Sequence, residues 1–375
     1  MSLGNSDDPD YADPHYVAEM ERKVGRAEAL AMLEGRITRP FLNNDSDWLT
    51  TLMEEMEGDS EPQLPTVAIL SSVVAIEKLI PLKFIPAAED KDQLTPPTLF
   101  GRTFEMDKDS IYPWQSRNRK FRELFQALLD YWDDESLDRI PRIVTSLTEV
   151  EIIHLPELDS ALKHIQHLGE DTYKMKQKQL WVLRFLLQKI HSELNKDERV
   201  LDAGEQKFSL GFRERDLVMK NTLGDTQFVG FSNGYVHLQP QISEQPSPVL
   251  SCLTHLPHQS WPTFITTTIS AMLSQLSLPL TNREVFIIGF HAFDFYIARG
   301  FFSEQTRIET YVHGCHGKKF RVQFSRGWNL LRRDDWEEAC KALVGLLRYL
   351  LSGEAKVGAV LKVVEESGSD SDSDV

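Results

Sequence analysis

The sequence predicts an α+β protein, in which a helical N-terminal region precedes a mixed α/β C-terminal domain with a central sheet. Three observations predict this class. Apolar residues recur at helical spacing in several segments before residue 200, most clearly over 171–196. After residue 201 the pattern changes to strand-like runs with glycine and asparagine in the turns. The 375 residues include 7 Trp and 20 Phe, enough for a substantial core.

The predicted organisation has four parts. Residues 1–14 are acidic and polar, and we expect them to be disordered. A mainly helical region follows over 15–200, and a mixed α/β domain over 201–364. Residues 365–375 are predicted to form an acidic, disordered tail.

The N-terminal region contains one strongly apolar stretch, 66–85, which we predict to be a buried helix or strand. Charged residues and a proline interrupt it well short of the ~18 apolar residues of a membrane span, so no membrane association is expected. Helical spacing predicts helices over 16–37, 47–57, 113–135, 157–168 and 171–196.

The C-terminal domain is predicted to alternate strands and helices. Three strands are expected across 206–242, and a helix over 261–277. A strand pair follows over 283–302, and a hairpin over 306–327 that turns at Gly314–Gly317. The last predicted helix, within 332–353, has Asp334 as its N-cap and Gly353 as its stop.

Charge and cysteine content limit the classes of function. The formal net charge of −16 disfavours non-specific binding to a phosphate backbone, although a local basic face remains compatible with it. Three cysteines are not a disulfide framework, which favours a reducing compartment, the nucleus or cytoplasm. The N-terminus lacks the basic and apolar regions of a signal peptide, and Ser2 stands where N-myristoylation needs glycine.

No strong catalytic or cofactor motif is present. Phosphate-binding, kinase, nucleophile-elbow and zinc-protease signatures are all missing, so we expect no cofactor and favour a protein that is not an enzyme. Cysteine and histidine could supply zinc ligands, but no C-x2-C pair occurs, and a loop histidine group with a polar turn is the favoured interpretation. The residues concerned are Cys252, His255, His258, His313, Cys315 and His316.

A basic stretch without acids, 318–333, is the candidate nucleic-acid surface. Aromatic residues between the cations could stack bases while the cations bind phosphates. The favoured alternative is an ordinary strand in which Arg321 and Gln323 face water while Val322 and Phe324 face the core. The candidate binding residues are Lys318, Lys319, Arg321, Arg326, Trp328, Arg332 and Arg333.

The order of elements over about 171–353 resembles the core of PD-(D/E)XK nuclease-like domains: a helix, three strands, a helix, then strands from 284. The C-terminal half is similar to uncharacterised fungal proteins that carry such domains. The resemblance implies an Asp and an E-x-K that hold a divalent metal. At the third-strand position Gln239 and Gln241 replace the carboxylate and lysine, Asp216 is the one surviving acid, and Glu205-Gln206-Lys207 precedes the first strand. The resemblance therefore implies an inactive nuclease that binds rather than cuts.

The tail carries the most specific partner-binding signal. Its aliphatic residues followed by acids resemble a SUMO-interacting motif, which adds as a strand to a sheet edge of the partner. The predicted partner-binding residues are Leu361, Val363, Val364, Glu365 and Glu366. Ser367, Ser369 and Ser371 each precede an Asp by three residues and resemble casein kinase II sites. The alternative is that the alternating residues 357–363 form a last strand of the protein's own sheet.

Overall fold

Helices and a mixed β-sheet both occur in the structure, which confirms the predicted α+β class. The structure is a computed structural model. It describes residues 41–42, 66–87, 149–156, 170–194, 202–203, 206–223, 226–239, 248–255, 260–276, 283–291, 294–314, 319–330 and 332–369. The helices predicted over 16–37, 47–57, 113–135 and 157–168 lie outside these residues.

The described strands and helices are numbered here in chain order. The strands are β1 Phe41–Leu42, β2 Thr66–Val73, β3 Glu149–His154, β4 Asp202–Ala203, β5 Gln206–Lys207, β6 Ser209–Arg213, β7 Leu217–Leu223, β8 Thr226–Ser232, β9 Gly234–Gln239, β10 Pro248–His255, β11 Arg283–His291, β12 Asp294–Phe302, β13 Lys319–Phe324 and β14 Trp328–Asn329. The helices are α1 Ile76–Leu79, α2 Glu170–Leu194, α3 Trp261–Ser274, α4 Glu304–His313, α5 Arg333–Leu351 and α6 Gly358–Ser369, with a 3-10 turn at Leu82–Phe84. None of the described helices is long and apolar enough to span a membrane.

The described residues form a nine-stranded sheet with the order β3-β2-β13-β12-β11-β10-β9-β6, in which β14 pairs with β12. The pairs β10–β11 and β13–β2 are parallel, and the other pairs in this order are antiparallel. The first two strands in this order come from the region predicted to be mainly helical, so the sheet crosses the boundary predicted at residue 200.

The sheet has a hydrophobic core on each face. β11 is buried along its whole length, and its side chains alternate between the cores: Phe286 and Ile288 face one, Val285 and Ile287 the other. The first core packs α2, α5 and α6 against the sheet, and the second packs α3. The strand pair predicted over 283–302 is confirmed as β11 and β12.

Hydrogen bonds and charges at the N-termini of helices determine where these helices begin. Ser260 Oγ accepts a hydrogen bond from the Thr263 amide, and the helix predicted over 261–277 is confirmed as α3. α2 confirms the helix predicted over 171–196. The predicted cap of α5 is wrong: Arg332 is the N-cap, and Asp334 lies in the first turn, where its carboxylate interacts favourably with the helix dipole.

The hairpin predicted over 306–327 is wrong in its first half. That half is α4, because Ser303 Oγ accepts a hydrogen bond from the Thr306 amide and starts a helix that ends at Gly314, where φ is 74°. The second half is β13, which pairs with β12 and β2 rather than with its own preceding residues. The prediction of three strands across 206–242 is also wrong, because β5, β6, β7, β8 and β9 lie there.

The strand proposed as an alternative for 357–363 is wrong, because these residues enter helix α6. Val357, Val360 and Val363 are buried in the first core. Spacing of three residues places these valines on one side of a helix, so their burial stabilises the helix. The stop predicted at Gly353 is confirmed: φ there is 79°, a conformation that glycine adopts without strain.

Glu284 connects the central strands to the helices that follow. Its carboxylate is 3% exposed and forms an ion pair with Arg299 of the neighbouring strand. The hydroxyl of Tyr349 and the amide of Lys356 donate hydrogen bonds to its Oε2, at 2.7 and 3.2 Å. The Glu284 amide in turn donates to the Lys356 carbonyl at 2.8 Å. One buried carboxylate therefore fixes β12, α5 and the connection into α6.

We expect Glu284→Gln to lower the free energy of unfolding by about 3 kcal/mol, because it leaves Arg299 without its buried counter-charge. Tyr349→Phe should cost about 1.5 kcal/mol, the contribution of one hydrogen bond to a charged group. Urea denaturation followed by tryptophan fluorescence measures both changes.

The matched control is Glu354→Gln, which removes an exposed acid from its ion pair with Lys83. Exposed ion pairs contribute little, so this change should cost less than about 1 kcal/mol. Equal losses for Glu284→Gln and Glu354→Gln would contradict the central role of Glu284.

Candidate functional site

Polar side chains converge where β9 begins and β10 ends, beneath α2. Four of them are at least nine-tenths buried, although each is polar or charged. A fifth, Asp216, lies in the loop between β6 and β7 and is exposed at the edge of the group. We call this group the polar cluster, and its members are Lys176, Gln179, Asp216, Asn233 and Thr254.

Asn233 holds the cluster together. Its side-chain Oδ1 accepts a hydrogen bond from the Thr254 backbone amide at 2.9 Å. The backbone amide of Asn233 donates to the Cys252 carbonyl, also at 2.9 Å. Its Nδ2 donates to Asp216 Oδ1 at 3.4 Å. These bonds fix the side chain to β10 and direct its amide group toward the carboxylate. Asn233 therefore positions Asp216 against the sheet.

α2 closes the cluster from above. The Nε2 of Gln179 donates to the His255 carbonyl at 3.3 Å, which attaches the helix to the end of β10. Gly234 permits this close approach: a Cβ there would lie 2.6 Å from Leu180 Cδ1 and 2.9 Å from the Arg213 carbonyl. At the other end of the helix, the Leu210 amide of edge strand β6 donates to His191 Nε2 at 3.2 Å.

Lys176 is the unusual member of the cluster. It is 7% exposed, and the structure shows no hydrogen bond or ion pair from its ammonium group to any described residue. Burial lowers the pKa of Lys176, and the charge of Asp216 offsets this shift only in part. A lysine in this position is costly to the fold unless an anion approaches it.

The pKa of Asp216 is shifted in the opposite direction to that of Lys176. Desolvation by surrounding protein raises the pKa of its carboxyl group, and it outweighs the hydrogen bond from Asn233 and the charge of Lys176. Desolvation thus disfavours the charged form of both groups, and their mutual attraction offsets it only in part.

Thr254 adds an unsatisfied hydroxyl group. It is 1% exposed, and its Oγ1 has no hydrogen-bond partner among the described residues. Strand alternation puts its side chain on the same face as Cys252 and as its register partner Phe290, the face that α2 covers. The cluster thus contains a hydroxyl group without a hydrogen-bond partner among the described residues.

Basic residues flank the cluster on β6 and the loop after it. Arg213 and Arg215 are both exposed, and Arg215 Nη2 donates to the Tyr235 hydroxyl at 3.2 Å. Burial lowers the pKa of His237, and the charges of Arg213 and Arg215 lower it further. The two arginines therefore lie by Tyr235 and His237, on the face of the sheet opposite the one that α2 covers, and Glu214 and Asp216 alternate with them.

The basic stretch 318–333 adopts the strand pattern that was favoured as its alternative. Lys319 and Arg321 are exposed, whereas Val322 and Phe324 are buried. Arg332 is exposed at the start of α5, Arg333 is the first residue of that helix, and Lys318 lies outside the described residues.

Two residues of the stretch 318–333, Arg326 and Trp328, form their contacts within the protein. Arg326 forms ion pairs with Asp335 and Glu338, each at 2.7 Å. Trp328 is 3% exposed, stacks on Phe295 at 5.9 Å and donates from Nε1 to Glu338 Oε2 at 3.2 Å. A buried tryptophan in this position has no open face for a base.

The residues compared with a nuclease motif do not converge. Asp216 contacts Asn233 at the start of β9, whereas Gln239 ends that strand. At about 3.3 Å per residue, the length of this strand separates them by about 20 Å. Lys207 is exposed in β5, and Glu205 and Gln241 lie outside the described residues.

The cysteine and histidine groups are also separated. Cys252 faces the first core, whereas His255 contacts Phe264 of α3 on the opposite face of the sheet. Burial raises the pKa of the Cys252 thiol to about 12, which disfavours the thiolate that zinc binding or nucleophilic attack requires. No three His, Cys, Asp or Glu residues of the described part of the chain group closely enough to bind a metal ion.

The tail residues divide between the core and the surface. Val363 is fully buried, Leu361 is partly buried and Val364 is 40% exposed. Glu365, Glu366, Ser367 and Ser369 belong to the backbone of α6, and Ser371 lies outside the described residues. The strand that a SUMO-interacting motif would present is therefore helical here.

Sequence reasoning missed Lys176, Gln179, Asn233 and Thr254. A signal for Lys176 was available: it lies four and seven residues before Leu180 and Leu183, in the apolar stripe of α2. A charged residue in a buried stripe is a marker of a site. No local signal identifies Asn233 or Thr254, because their partners are distant in sequence.

Comparison with known proteins supplies no relative. No protein-family model matches the chain, and no curated protein matches its sequence. The chemistry of the polar cluster therefore carries the functional interpretation.

We expect Lys176→Met to raise the free energy of unfolding by about 1 kcal/mol at pH 7, because desolvation of the ammonium group outweighs its attraction to Asp216 and methionine keeps the apolar volume. The pKa of Lys176 is lower in the folded protein than in the unfolded chain. The wild type should thus gain stability as the pH rises toward about 10, and the variant should lack this component. Denaturant titrations at several pH values measure it.

The control is Lys341→Met, which changes an exposed lysine of α5 and should alter stability by less than about 0.5 kcal/mol. A loss of stability in Lys176→Met would show that the ammonium group supports the fold.

Proposed function

We propose that this protein binds a phosphate-bearing polymer, a nucleic acid, at the polar cluster and does not cleave it. The observation that carries the proposal is Lys176, a lysine that is 7% exposed and makes no hydrogen bond or ion pair with a described residue, so that only the charge of Asp216 offsets its desolvation. An anionic oxygen bound there would accept a hydrogen bond from the ammonium group. It would also favour the charged form of the lysine, which burial disfavours.

The order of elements agrees in part with a nuclease-like core. α2 precedes an antiparallel arrangement of β6, β9 and β10, and α3 connects β10 to the parallel strand β11. The resemblance to PD-(D/E)XK nuclease-like domains depends on three strands across 206–242, and β10 lies beyond that range, so only the helices and the strand from 284 keep the order it implies. The polar cluster lies between β9 and β10.

The residues of the cluster support binding without cleavage. β10, which forms one side of the cluster, reads PVLSCLTH and contains neither a carboxylate nor a lysine. Among the described residues, Asp216 is the one carboxylate of the cluster. Metal-assisted phosphodiester cleavage uses several oxygen ligands to hold its divalent cations. A single acid held by an asparagine is a poor substitute for that set.

Exposed cations on β6 and in the loop after it support a polymer rather than a single phosphate group. Arg213 and Arg215 lie beside Tyr235 and His237, on the face of the sheet opposite α2, so a ligand that reaches both them and Lys176 must be extended. Each phosphate contact adds about 0.9 to the slope of log affinity against log salt for duplex DNA, and about 0.7 for a single strand. The binding should accordingly be weak at physiological salt and measurable at low salt.

We expect fluorescence anisotropy to detect binding of labelled single- and double-stranded oligonucleotides at about 50 mM salt. Arg213→Glu combined with Arg215→Glu should weaken binding at least about tenfold and reduce the salt slope by about 2, because two phosphate contacts become repulsive. The unfolding free energy should change little, since both side chains are exposed.

The control is Lys319→Glu combined with Arg321→Glu, which makes the same change in charge on β13. It should leave binding within about twofold of the wild type. A loss confined to this control would move the binding surface to the stretch 318–333. A flat titration at low salt would contradict nucleic-acid binding, and cleavage in the presence of Mg²⁺ or Mn²⁺ would contradict a non-catalytic role.

A second binding surface is proposed on α6, where one observation favours it. Val364 is 40% exposed although the same helix buries Val360 and Val363 completely. Val364 is followed by Glu365 and Glu366, which supports a partner with an apolar groove and a basic rim. SUMO, or a protein modified by SUMO, is the partner that the motif resemblance implies.

Capture of SUMO from a purified mixture tests this surface. We expect the full chain to bind and Val364→Asp to reduce capture at least about tenfold, without a change in unfolding free energy, since Val364 adds little to the core. Deletion of 360–375 is a poor test, because it removes two valines from the core. Absence of capture by the full chain, both before and after phosphorylation of its tail serines, would exclude SUMO as the partner.

A further inference from the structure

The end of α6 combines serines and acids at an unfavourable place in a helix. α6 runs from Gly358 to Ser369, and its last turn contains no basic residue. Ser367 and Ser369 lie in that turn, and Glu365 and Glu366 come just before them. The C-terminus of a helix carries a partial negative charge, so added negative charge there destabilises it.

We propose that phosphorylation of Ser367 and Ser369 unwinds the last turn of α6 while the first part of the helix stays attached to the core. The consequence for binding rests on the tail surface proposed above, whereas the unwinding does not. In the modification, the serine Oγ attacks the γ-phosphorus of a nucleoside triphosphate. An O–P bond to the serine forms, the bond to the β-phosphate oxygen breaks, the hydroxyl proton passes to the kinase, and the diphosphate leaves.

The sequence around the serines fits a kinase that recognises acids after its target. Asp370 follows Ser367 by three residues, and Asp372 follows Ser369 by three. Each phosphate adds about −1.5 to −2 charge near neutral pH. The phosphate on Ser369 would lie one helical turn from Glu365, where two negative charges repel each other.

The first part of α6 is held by stronger interactions. Val357, Val360 and Val363 are 3% exposed or less. Burial of a valine side chain changes a folding equilibrium by a factor of about 10 to 150. An unfavourable charge at a helix end changes it by a factor of about 2 to 5. Two phosphates thus shift the last turn but do not release the three valines.

Backbone contacts at the start of the helix support the same conclusion. The Glu284 amide donates to the Lys356 carbonyl at 2.8 Å, and the Leu361 amide donates to the Val357 carbonyl at 2.9 Å. Gly358 packs so closely on Arg283 that a Cβ there would lie 1.9 Å from its Nη1. Unwinding from the C-terminus should therefore stop near Val363.

The consequence is a change in what a partner encounters. Unphosphorylated, Val364 lies on a helix. Phosphorylated, the residues from 364 onward become an extended segment in which an aliphatic residue precedes acids and phosphoserines. That segment can add to a sheet edge, which a helix cannot do. Phosphorylation would thus convert the tail from a helical to an extended binding element.

Hydrogen exchange on the full chain tests the proposal. The protein is phosphorylated with casein kinase II, and mass spectrometry identifies the modified serines. We expect phosphate on Ser367 and Ser369, with amide exchange over 364–369 at least about fivefold faster and exchange over 358–363 within about twofold of the unmodified protein. The control is Ser367→Ala combined with Ser369→Ala, which leaves Ser371 for the kinase and should show no acceleration.

Three outcomes would overturn the proposal. They are an absence of phosphate on both serines, phosphate without faster exchange over 364–369, and equal acceleration over 358–363. SUMO capture is measured on the same samples. Faster exchange without capture would contradict only the proposed partner of the tail, and would leave the unwinding supported.

Discussion

The buried carboxylate of Glu284 is the interaction on which much of the architecture depends. It lies at the start of the central strand β11, and its partners come from β12, from α5 and from the connection into α6. A buried charge is tolerated only when it is paired and fully hydrogen-bonded. The carboxylate therefore fixes the positions of these elements relative to the sheet, and with them the point at which α6 begins. The valines of the tail can enter the core because this junction presents them to it.

The polar cluster differs from the Glu284 site in how its polar groups are satisfied. Both oxygens of the Glu284 carboxylate have partners, whereas the hydroxyl of Thr254 has none among the described residues and Lys176 makes no hydrogen bond with them. Proteins retain such unsatisfied groups where binding requires them, at a cost in stability. Asn233 makes the arrangement rigid by bonding to β10 on one side and to Asp216 on the other. A preorganised set of donors is the property that an anionic ligand would use.

The two proposed binding surfaces lie at opposite ends of the sheet. The polar cluster is at the end of β10, and α6 begins beside the start of its parallel neighbour β11. A strand of eight or nine residues spans roughly 25–30 Å. The surfaces can thus act independently, one through charge on the rigid core and the other through a helix whose last turn is its least stable part.

The sequence by itself determined the elements whose signals are local. Helical spacing predicted α2, α3 and α5, the alternation in 283–302 predicted β11 and β12, and the pattern of β13 separated Arg321 from Val322. The sequence of 306–313 is compatible with both a hairpin and a helix. The hydroxyl of Ser303 caps this segment as helix α4. In 357–363 the valines fit both a period of two and a spacing of three, and only burial against the first core selects the helix. Nothing in the sequence indicated that β2 and β3 join the C-terminal sheet.

The polar cluster depends on contacts such as Gln179 to His255, 76 residues apart. Only tertiary structure brings such residues together, because backbone pairing and helix packing, rather than any local preference, decide which distant side chains share one buried space.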